Sequence, residues 1–270
     1  MPEINVRDTK LYYEMTGEGD PALVFIPGMC SASWSFSEQL ERLSPEFTCV
    51  AYDRRGHSRS EQGTEDQSDR THTADLAALI EALGLDRPVV VGASSGAVIA
   101  TEMMRRYPNL IRGAVLMEPP LLSLDPDVTQ RLVSEMFPVL QDAHANGGDR
   151  AAVDTFFQVL YGTYWKNLDD ARRAQTLDNA HLLFPTLQRE AADITSEDLT
   201  SIELPALVIG GTDSLPFHLA LNQIVVEHLP NARHVEVEDS GHVVIFEQPD
   251  AFAEAVRAFA REVSATASVA

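Results

Sequence analysis

Residues 88–96 read Pro-Val-Val-Val-Gly-Ala-Ser-Ser-Gly, and the rest of the chain is interpreted outward from this stretch. Its apolar run predicts a buried β-strand, and the pattern from Ser95 to Tyr107 predicts a helix that ends before Pro108. Ser94 therefore lies in a sharp strand-to-helix turn whose small neighbours allow the helix to cross its own strand. Such a turn exposes the serine hydroxyl, and the free N–H groups of the helix start point towards any anion that forms there. The stretch predicts a nucleophilic serine.

Seven further short runs along the chain have the length and apolar character of strands, and helical patterns separate most of them. They are Ile4–Arg7, Leu11–Met15, Ala22–Ile26, Phe47–Tyr52, Gly113–Met117, Pro205–Ile209 and His234–Val237. The first two flank a short polar turn and predict a hairpin. Apolar strands that alternate with helices require a mostly parallel sheet covered on both faces. The predicted fold class is α/β, with eight strands.

One interval, residues 119–203, contains several helical patterns and no convincing strand. An insertion of this length between two core strands predicts a subdomain at the carboxyl end of the sheet, where such folds hold their ligands. We predict a core formed by residues 1–118 and 204–270, and a helical cap formed by residues 119–203.

A serine hydroxyl needs a base to remove its proton, and the chain offers eight histidines. His242 follows the last predicted strand, in Asp-Ser-Gly-His, and precedes the final helix. A histidine on a loop at the carboxyl edge of the sheet can reach the Ser94 turn. The other histidines are worse placed; His218, for example, falls inside a predicted helix. We predict that His242 is the base.

The base needs an acceptor that fixes its tautomer, and two carboxylates compete for this role. Asp213 follows one core strand in Gly-Gly-Thr-Asp, and Glu118 follows another in Met-Glu-Pro-Pro. The order Ser94, Asp213, His242 is the usual order of nucleophile, acid and base in this kind of fold, so Asp213 is preferred. Glu118 is geometrically acceptable and remains the alternative.

Donors are also needed for the negative charge that an attacked carbonyl oxygen acquires. The backbone N–H of Ser95, directly after the nucleophile, is one candidate. The second should come from the loop Pro-Gly-Met-Cys after the strand Ala22–Ile26, where Gly28 permits a close backbone approach. We predict that Met29 supplies it.

The composition of the chain limits the classes of partner that it is expected to bind. The formal net charge of −21 disfavours binding to nucleic acid or to an anionic membrane, and no apolar run approaches the ~20 residues of a membrane span. The two cysteines show no metal-binding spacing, so no metal is predicted. The charged N-terminus lacks the apolar segment of a signal peptide, which predicts a cytoplasmic protein.

In order along the chain, these motifs resemble those of the alpha/beta-hydrolase superfamily. The matching segments are the Ser94 turn, Tyr52–Ser60, Gly210–Asp213 and Ser240–His242. The segment Glu118-Pro119-Pro120 is similar to a subgroup that includes zearalenone-type lactone hydrolases. In that subgroup the acid is the glutamate after the sixth strand, so the resemblance keeps Glu118 as the alternative to Asp213. The stretch Asp53–Ser60 is structural in the superfamily, and the usual His-Gly of the oxyanion loop is Pro27-Gly28 here.

The predicted cap, residues 119–203, is rich in aromatic side chains, which suggests an apolar pocket over Ser94. We predict that the substrate contacts Gly28, Trp34, Phe137, Phe157, Tyr161 and Trp165. The predicted activity is hydrolysis of a medium-sized hydrophobic ester or lactone through an acyl-enzyme, without a cofactor; a homodimer is left open. Two alternatives remain: cofactor-independent oxygenation or carbon–carbon cleavage on the same fold, and a ligand receptor with slow turnover.

Overall fold

The structure is a computed structural model that describes residues 2–188 and 192–267. Eight strands form one sheet in the order β1-β2-β4-β3-β5-β6-β7-β8. The strands are β1 (Glu3–Val6), β2 (Thr9–Thr16), β3 (Ala22–Ile26), β4 (Thr48–Tyr52), β5 (Val89–Ala93), β6 (Gly113–Met117), β7 (Ala206–Gly211) and β8 (Ala232–Val237). β1 and β2 form the expected antiparallel hairpin, and β2 also pairs antiparallel with β4. All pairings from β4 to β8 are parallel, which confirms the mostly parallel eight-stranded sheet.

Ten α-helices accompany the sheet in the described residues. They are α1 (Ser37–Leu43), α2 (Asp69–Ala82), α3 (Ser95–Arg106), α4 (Pro126–Asn167), α5 (Asp170–Asp178), α6 (Leu183–Gln188), α7 (Ser196–Thr200), α8 (Pro216–His228), α9 (Val244–Glu247) and α10 (Pro249–Ala267). Short 3₁₀ turns lie at Ser33–Phe36, Pro108–Leu110, Leu122–Leu124 and Ala180–Leu182.

Helices cover both faces of the sheet, because the central strands are apolar on both sides. Every residue of β3, β5, β6 and β7 is buried. One face packs against α2, α3 and α8, with Leu76 and Met103 among the contacts. The other face packs against α1 and α10, where Leu40 and Phe252 are buried. Helix α3 is buried along its whole first part, residues 95–104, because it lies between the sheet and other helices, whereas the outer helix α10 buries one apolar face.

Between Glu118 and β7 the described residues form helices and turns and no strand. Helix α4 is the main element of this cap, and its backbone departs from helical geometry at Gly148 and Gly162. Both glycines have positive φ, a conformation that a residue with a Cβ adopts only at a cost, so the helix is divided into three segments. The segments carry a separate apolar core that includes Phe156, Phe157 and Trp165.

No helix in residues 2–188 and 192–267 combines the length and the apolar character needed to cross a membrane. The carboxyl ends of β3, β5, β6 and β7 lie side by side in the centre of the sheet. The loops that follow these four strands therefore share one edge, and the cap begins directly after β6 at the same edge.

Candidate active site

Ser94 lies in the turn between β5 and α3 with φ +51° and ψ −122°. Holding a residue other than glycine there costs about 1–3 kcal/mol, which the surrounding packing must offset. The backbone on both sides of Ser94 is closely packed. A Cβ on Gly92 would collide with the Gly96 carbonyl, and a Cβ on Gly96 would collide with the Ile26 carbonyl. The Ser94 N–H also donates to the Met117 carbonyl at 2.8 Å, which anchors the turn to the end of β6.

Glu118 is the first residue after β6 and the centre of a buried polar cluster. Its Oε2 lies 2.6 Å from His242 Nδ1, and both side chains are buried. Its Oε1 accepts hydrogen bonds from the Gly211 N–H, at 3.0 Å, and from the Ser214 hydroxyl. The acid therefore fixes one ring nitrogen of His242 and leaves Nε2 for a reacting proton.

Asp213 does not take part in this cluster. It is exposed, and in the described part of the chain its carboxylate accepts only a long hydrogen bond of 3.5 Å, from the Thr212 hydroxyl. Its backbone N–H donates to the Ser240 carbonyl, which shapes the loop before His242. The structure thus brings His242 together with Glu118 and not with the sequence-preferred Asp213. The last residue of β7, Gly211, turns its amide towards Glu118, and Ser214 in the following loop turns its hydroxyl there, while the Asp213 side chain faces solvent.

His218 is a site residue that the sequence analysis set aside as part of a helix. It lies in the first turn of α8 and is 3% exposed. Its ring stacks on that of His242 with the centroids 4.0 Å apart and the planes 6° from parallel. Burial, together with the charge of nearby His242, holds the pKa of His218 well below its usual value of 6.5. Its place in the first turn of the helix that follows β7 was the available signal.

The oxyanion donors predicted from the sequence border the same site. Met29 and Ser95 line the cavity above Ser94. A Cβ on Gly28 would lie 3.5 Å from Ser94 Cβ, so the loop after β3 runs against the nucleophile turn. Buried Arg54 supports this loop by donating to the Gly28 carbonyl at 2.7 Å. Neither the Ser95 nor the Met29 N–H has a backbone partner among the described residues, as an oxyanion site requires.

The cavity that includes Ser94 has a volume of about 220 Å³. Apolar side chains from the cap and from α3 form most of its wall, namely Val98, Leu121, Leu122, Leu132, Val133, Met136, Phe137, Leu140, Phe156, Leu160 and Leu187. Asp69, His218 and Thr186 add polar atoms. Asp69 already accepts a hydrogen bond from the Ala192 N–H at 3.2 Å. The wall suits a neutral, mostly apolar molecule.

Of the predicted substrate contacts, Phe137 lies in this wall, whereas four others do not. Trp34, Phe157, Tyr161 and Trp165 border a separate cavity of about 20 Å³. Phe157 and Trp165 stack at 5.0 Å in the core of the cap, and Tyr161 packs against both. The structure therefore places these four residues around a different cavity from the one above Ser94. Phe157 and Tyr161 lie one turn apart on the inward face of the helix, and Trp165 joins them after the break at Gly162, whereas neighbouring Phe156 reaches the Ser94 cavity.

Glu118, His218 and His242 also form the kind of cluster that could hold a metal ion, with one ligand atom from each within 4.8 Å of the others. An ion binds an imidazole nitrogen in the plane of the ring, and the two rings here are parallel and stacked. One ring would have to turn, and the short Glu118–His242 contact would have to break, before both could bind one ion. The observed arrangement fits an acid–base pair better.

The motif Asp53–Ser60 packs as a structural unit. Arg55 is fully buried and pairs with Asp75 at 2.6 Å and with Asp8 at 2.7 Å. Asp53 accepts hydrogen bonds from the Ser33 N–H and from Arg59. These contacts connect the hairpin, the loop after β4 and helix α2.

A match to a known family model identifies the class of protein. Residues 21–249 match the model of the alpha/beta hydrolase fold family, and the chain belongs to it. Among curated proteins, it is 31% identical to BpoC of Mycobacterium tuberculosis, which is provisionally named a non-heme bromoperoxidase, over 94% of this chain and 99% of the relative.

Solved structures show the same fold. The enol-lactonase of Burkholderia xenovorans LB400 superposes with a TM-score of 0.80 and 24% identity, over 96% of this chain and 99% of that one. Est816, described as an enzyme that degrades N-acyl homoserine lactones, gives a TM-score of 0.78 and 22% identity, over 96% and 100%. The protein is thus an alpha/beta hydrolase with lactonases and esterases among its structural neighbours.

Proposed function

We propose that the protein is a serine hydrolase that cleaves neutral, mostly apolar esters or lactones. The observation that carries the proposal is the buried Glu118–His242 contact of 2.6 Å, which lies next to the Ser94 cavity because His218 lines that cavity and stacks on His242. The apolar cavity over Ser94 supports a substrate without charge, since a carboxylate or ammonium group would lose its hydration there.

In the proposed reaction, Ser94 Oγ attacks the substrate carbonyl while His242 Nε2 takes the hydroxyl proton. Glu118 holds the opposite nitrogen and stabilises the imidazolium that forms. The N–H groups of Ser95 and Met29 donate to the developing oxyanion. His242 then returns the proton to the leaving alcohol. Water hydrolyses the acyl-enzyme by the same steps in reverse, and no cofactor takes part.

Two features favour lactones within this class. Glu118-Pro119-Pro120 supplies the acid from the end of β6, as in the lactone hydrolases that this segment resembles. Two of the structural neighbours are named for action on lactones. A lactone keeps its alcohol attached after ring opening, so both product ends must fit within the cavity of about 220 Å³.

The test is Ser94→Ala assayed on p-nitrophenyl butyrate and on a panel of lactones. We expect the rate to fall at least about a thousandfold, because the remaining groups bind substrate but cannot form the acyl-enzyme. Ser134→Ala is the matched control, since Ser134 is exposed on α4 and its hydroxyl bonds only within the helix. Unchanged turnover in Ser94→Ala would refute the mechanism.

A second candidate is perhydrolysis, favoured by the name of the curated relative BpoC. Hydrogen peroxide in place of water would attack the acyl-enzyme, releasing a peracid and restoring the Ser94 hydroxyl. The peracid could then oxidise bromide and return to the carboxylic acid. The assay is bromination in the presence of ester, peroxide and bromide, with Ser94→Ala as the control. Bromination that survives in Ser94→Ala would exclude this route.

A further inference from the structure

We propose that His218 is a positioning residue that fixes the ring plane of His242 by stacking against its face. The inference rests on the proposed role of His242 as the base. Neither the resemblance nor the comparisons assign a role to this second histidine. The ring plane of His242 sets the direction in which its Nε2 points. This direction decides whether the Ser94 proton can be transferred.

The geometry shows why one contact is not enough. The hydrogen bond from His242 Nδ1 to Glu118 Oε2, at 2.6 Å, restrains one atom of the ring. Coupled rotations about the Cα–Cβ and Cβ–Cγ bonds of His242 can still pivot the ring while Nδ1 stays within reach of the carboxylate, and such a pivot moves Nε2 away from its target. The parallel ring of His218, 4.0 Å away, blocks that pivot because the edge of His242 would enter it.

His218 is itself held firmly. It lies in the first turn of α8, after Pro216, and its N–H donates to the Leu215 carbonyl at 2.9 Å. Its Nδ1 lies 3.3 Å from Glu118 Oε2 but has no hydrogen-bond partner in residues 2–188 and 192–267. A buried ring nitrogen without a hydrogen bond destabilises the fold, and an apolar side chain would avoid that cost. Packing alone therefore does not account for a histidine at this position.

The stack tolerates the charge that His242 acquires during the reaction. Two stacked imidazolium rings would repel each other, but burial and nearby His242 keep the pKa of His218 well below 6.5. His218 then stays neutral while His242 is protonated, and a neutral aromatic face attracts a cation. The other titratable groups nearby are Glu118 from β6, Tyr161 from α4, whose ring is 5.9 Å from His242, and Asp69 from α2, which borders the cavity.

The test compares a variant without a ring, His218→Leu, with a variant that keeps one, His218→Phe. We expect His218→Leu to lower kcat on p-nitrophenyl butyrate about tenfold or more, with KM changed less than about twofold. His218→Phe should remain closer to wild type, because it restores the stack but not the nitrogen. His228→Leu, at the far end of α8, is the matched control and should leave kcat unchanged.

The pH profile and NMR separate positioning from simple packing. Losing the ring removes a favourable neighbour of the imidazolium, so the pKa seen in kcat/KM should fall in His218→Leu and recover in His218→Phe. The ¹H resonance of the proton between His242 Nδ1 and Glu118 should shift or broaden in His218→Leu and recover in His218→Phe. This resonance does not depend on turnover, so it tests the stack even if the proposed function fails.

The proposal is overturned if His218→Leu matches wild type in kcat and pH profile, or if His218→Phe loses as much activity as His218→Leu at an equal melting temperature. If His218→Leu does not fold, His218→Gln replaces it as the variant without a ring. If neither folds, nuclear Overhauser contacts between the two rings in the wild-type protein decide. Their absence overturns the proposal, and their presence together with an active His218→Phe supports it.

Discussion

At the scale of single residues, the site depends on which side chain at a strand end turns inward. Glu118 and Asp213 both follow core strands at the same edge of the sheet, and β6 and β7 are neighbours. Glu118 is buried against His242, whereas Asp213 is exposed. The difference comes from the donors of Gly211 and Ser214, which surround the Glu118 carboxylate and not that of Asp213.

Glu118→Gln should lower kcat on p-nitrophenyl butyrate at least about a hundredfold, because an amide cannot stabilise the imidazolium and can favour the wrong tautomer. Asp213→Asn, the matched control, should stay within about twofold of wild type. Melting temperatures show whether either variant is destabilised. A loss confined to Asp213→Asn would assign the role of the acid to Asp213 instead.

The sequence predicted Ser94 and His242 as partners in one site, because strand, glycines and small neighbours constrain the Ser94 turn locally. It could not choose between Glu118 and Asp213, since both carboxylates have the same position relative to a strand. It also missed His218. The orientation of a side chain at a strand end or in a helix start depends on packing with distant segments, such as the Ser240–His242 loop.

At the scale of elements, the cap determines the shape of the cavity above Ser94. Helix α4 bends at two glycines, so its segments can close over Ser94 and also carry a core of their own. The sequence predicted a helical insertion over residues 119–203 but not which aromatic side chains face the substrate. A shift of one residue in helical phase would turn Phe157 instead of Phe156 towards the Ser94 cavity. The sequence pattern does not distinguish the two, because aromatic residues at this spacing fit either face of the helix.

Met136→Trp should reduce the space in the cavity and change the preference for chain length. Met136 lines the Ser94 cavity, and a larger ring there would exclude long acyl chains before short ones. We expect kcat/KM for p-nitrophenyl octanoate to fall about tenfold or more, while that for p-nitrophenyl acetate changes less than about threefold.

Val139→Trp is the control for this change, since Val139 is on the same helix, exposed, and outside the Ser94 cavity. Equal losses for the acetate and the octanoate in Met136→Trp would show that this cavity does not hold the acyl chain.

At the scale of the whole molecule, ion pairs of the buried Arg55 connect the N-terminal hairpin to the rest of the fold. Asp8, in the hairpin turn, accepts hydrogen bonds from Arg55 and from the Thr64 hydroxyl and N–H. The Arg55 hydrogen bond, followed by those of Thr64 and Glu65, holds the pKa of Asp8 far below its usual value of 3.8. Arg55 in turn pairs with Asp75 on α2, so one buried guanidinium connects three segments.

Because the pKa of Asp8 is lower in the folded protein than in the unfolded chain, its contribution to stability is present above pH 3.8 and is lost as the pH falls below that value. Asp8→Asn should therefore melt at a lower temperature than wild type at pH 7, and the difference should shrink towards pH 2. Asp142→Asn, an exposed control on α4, should not change the melting temperature. A difference for Asp8→Asn that does not depend on pH would contradict this account.

The central claim is that Ser94 is the nucleophile and that the Glu118–His242 pair activates it. Labelling with a p-nitrophenyl alkylphosphonate, followed by intact-mass and peptide analysis, tests it most directly. We predict a single adduct on Ser94, formed at the wild-type rate in Asp213→Asn, at least about a hundredfold more slowly in Glu118→Gln, and absent in Ser94→Ala. An adduct on another residue, or labelling of Ser94 at the wild-type rate in Glu118→Gln, would contradict the account.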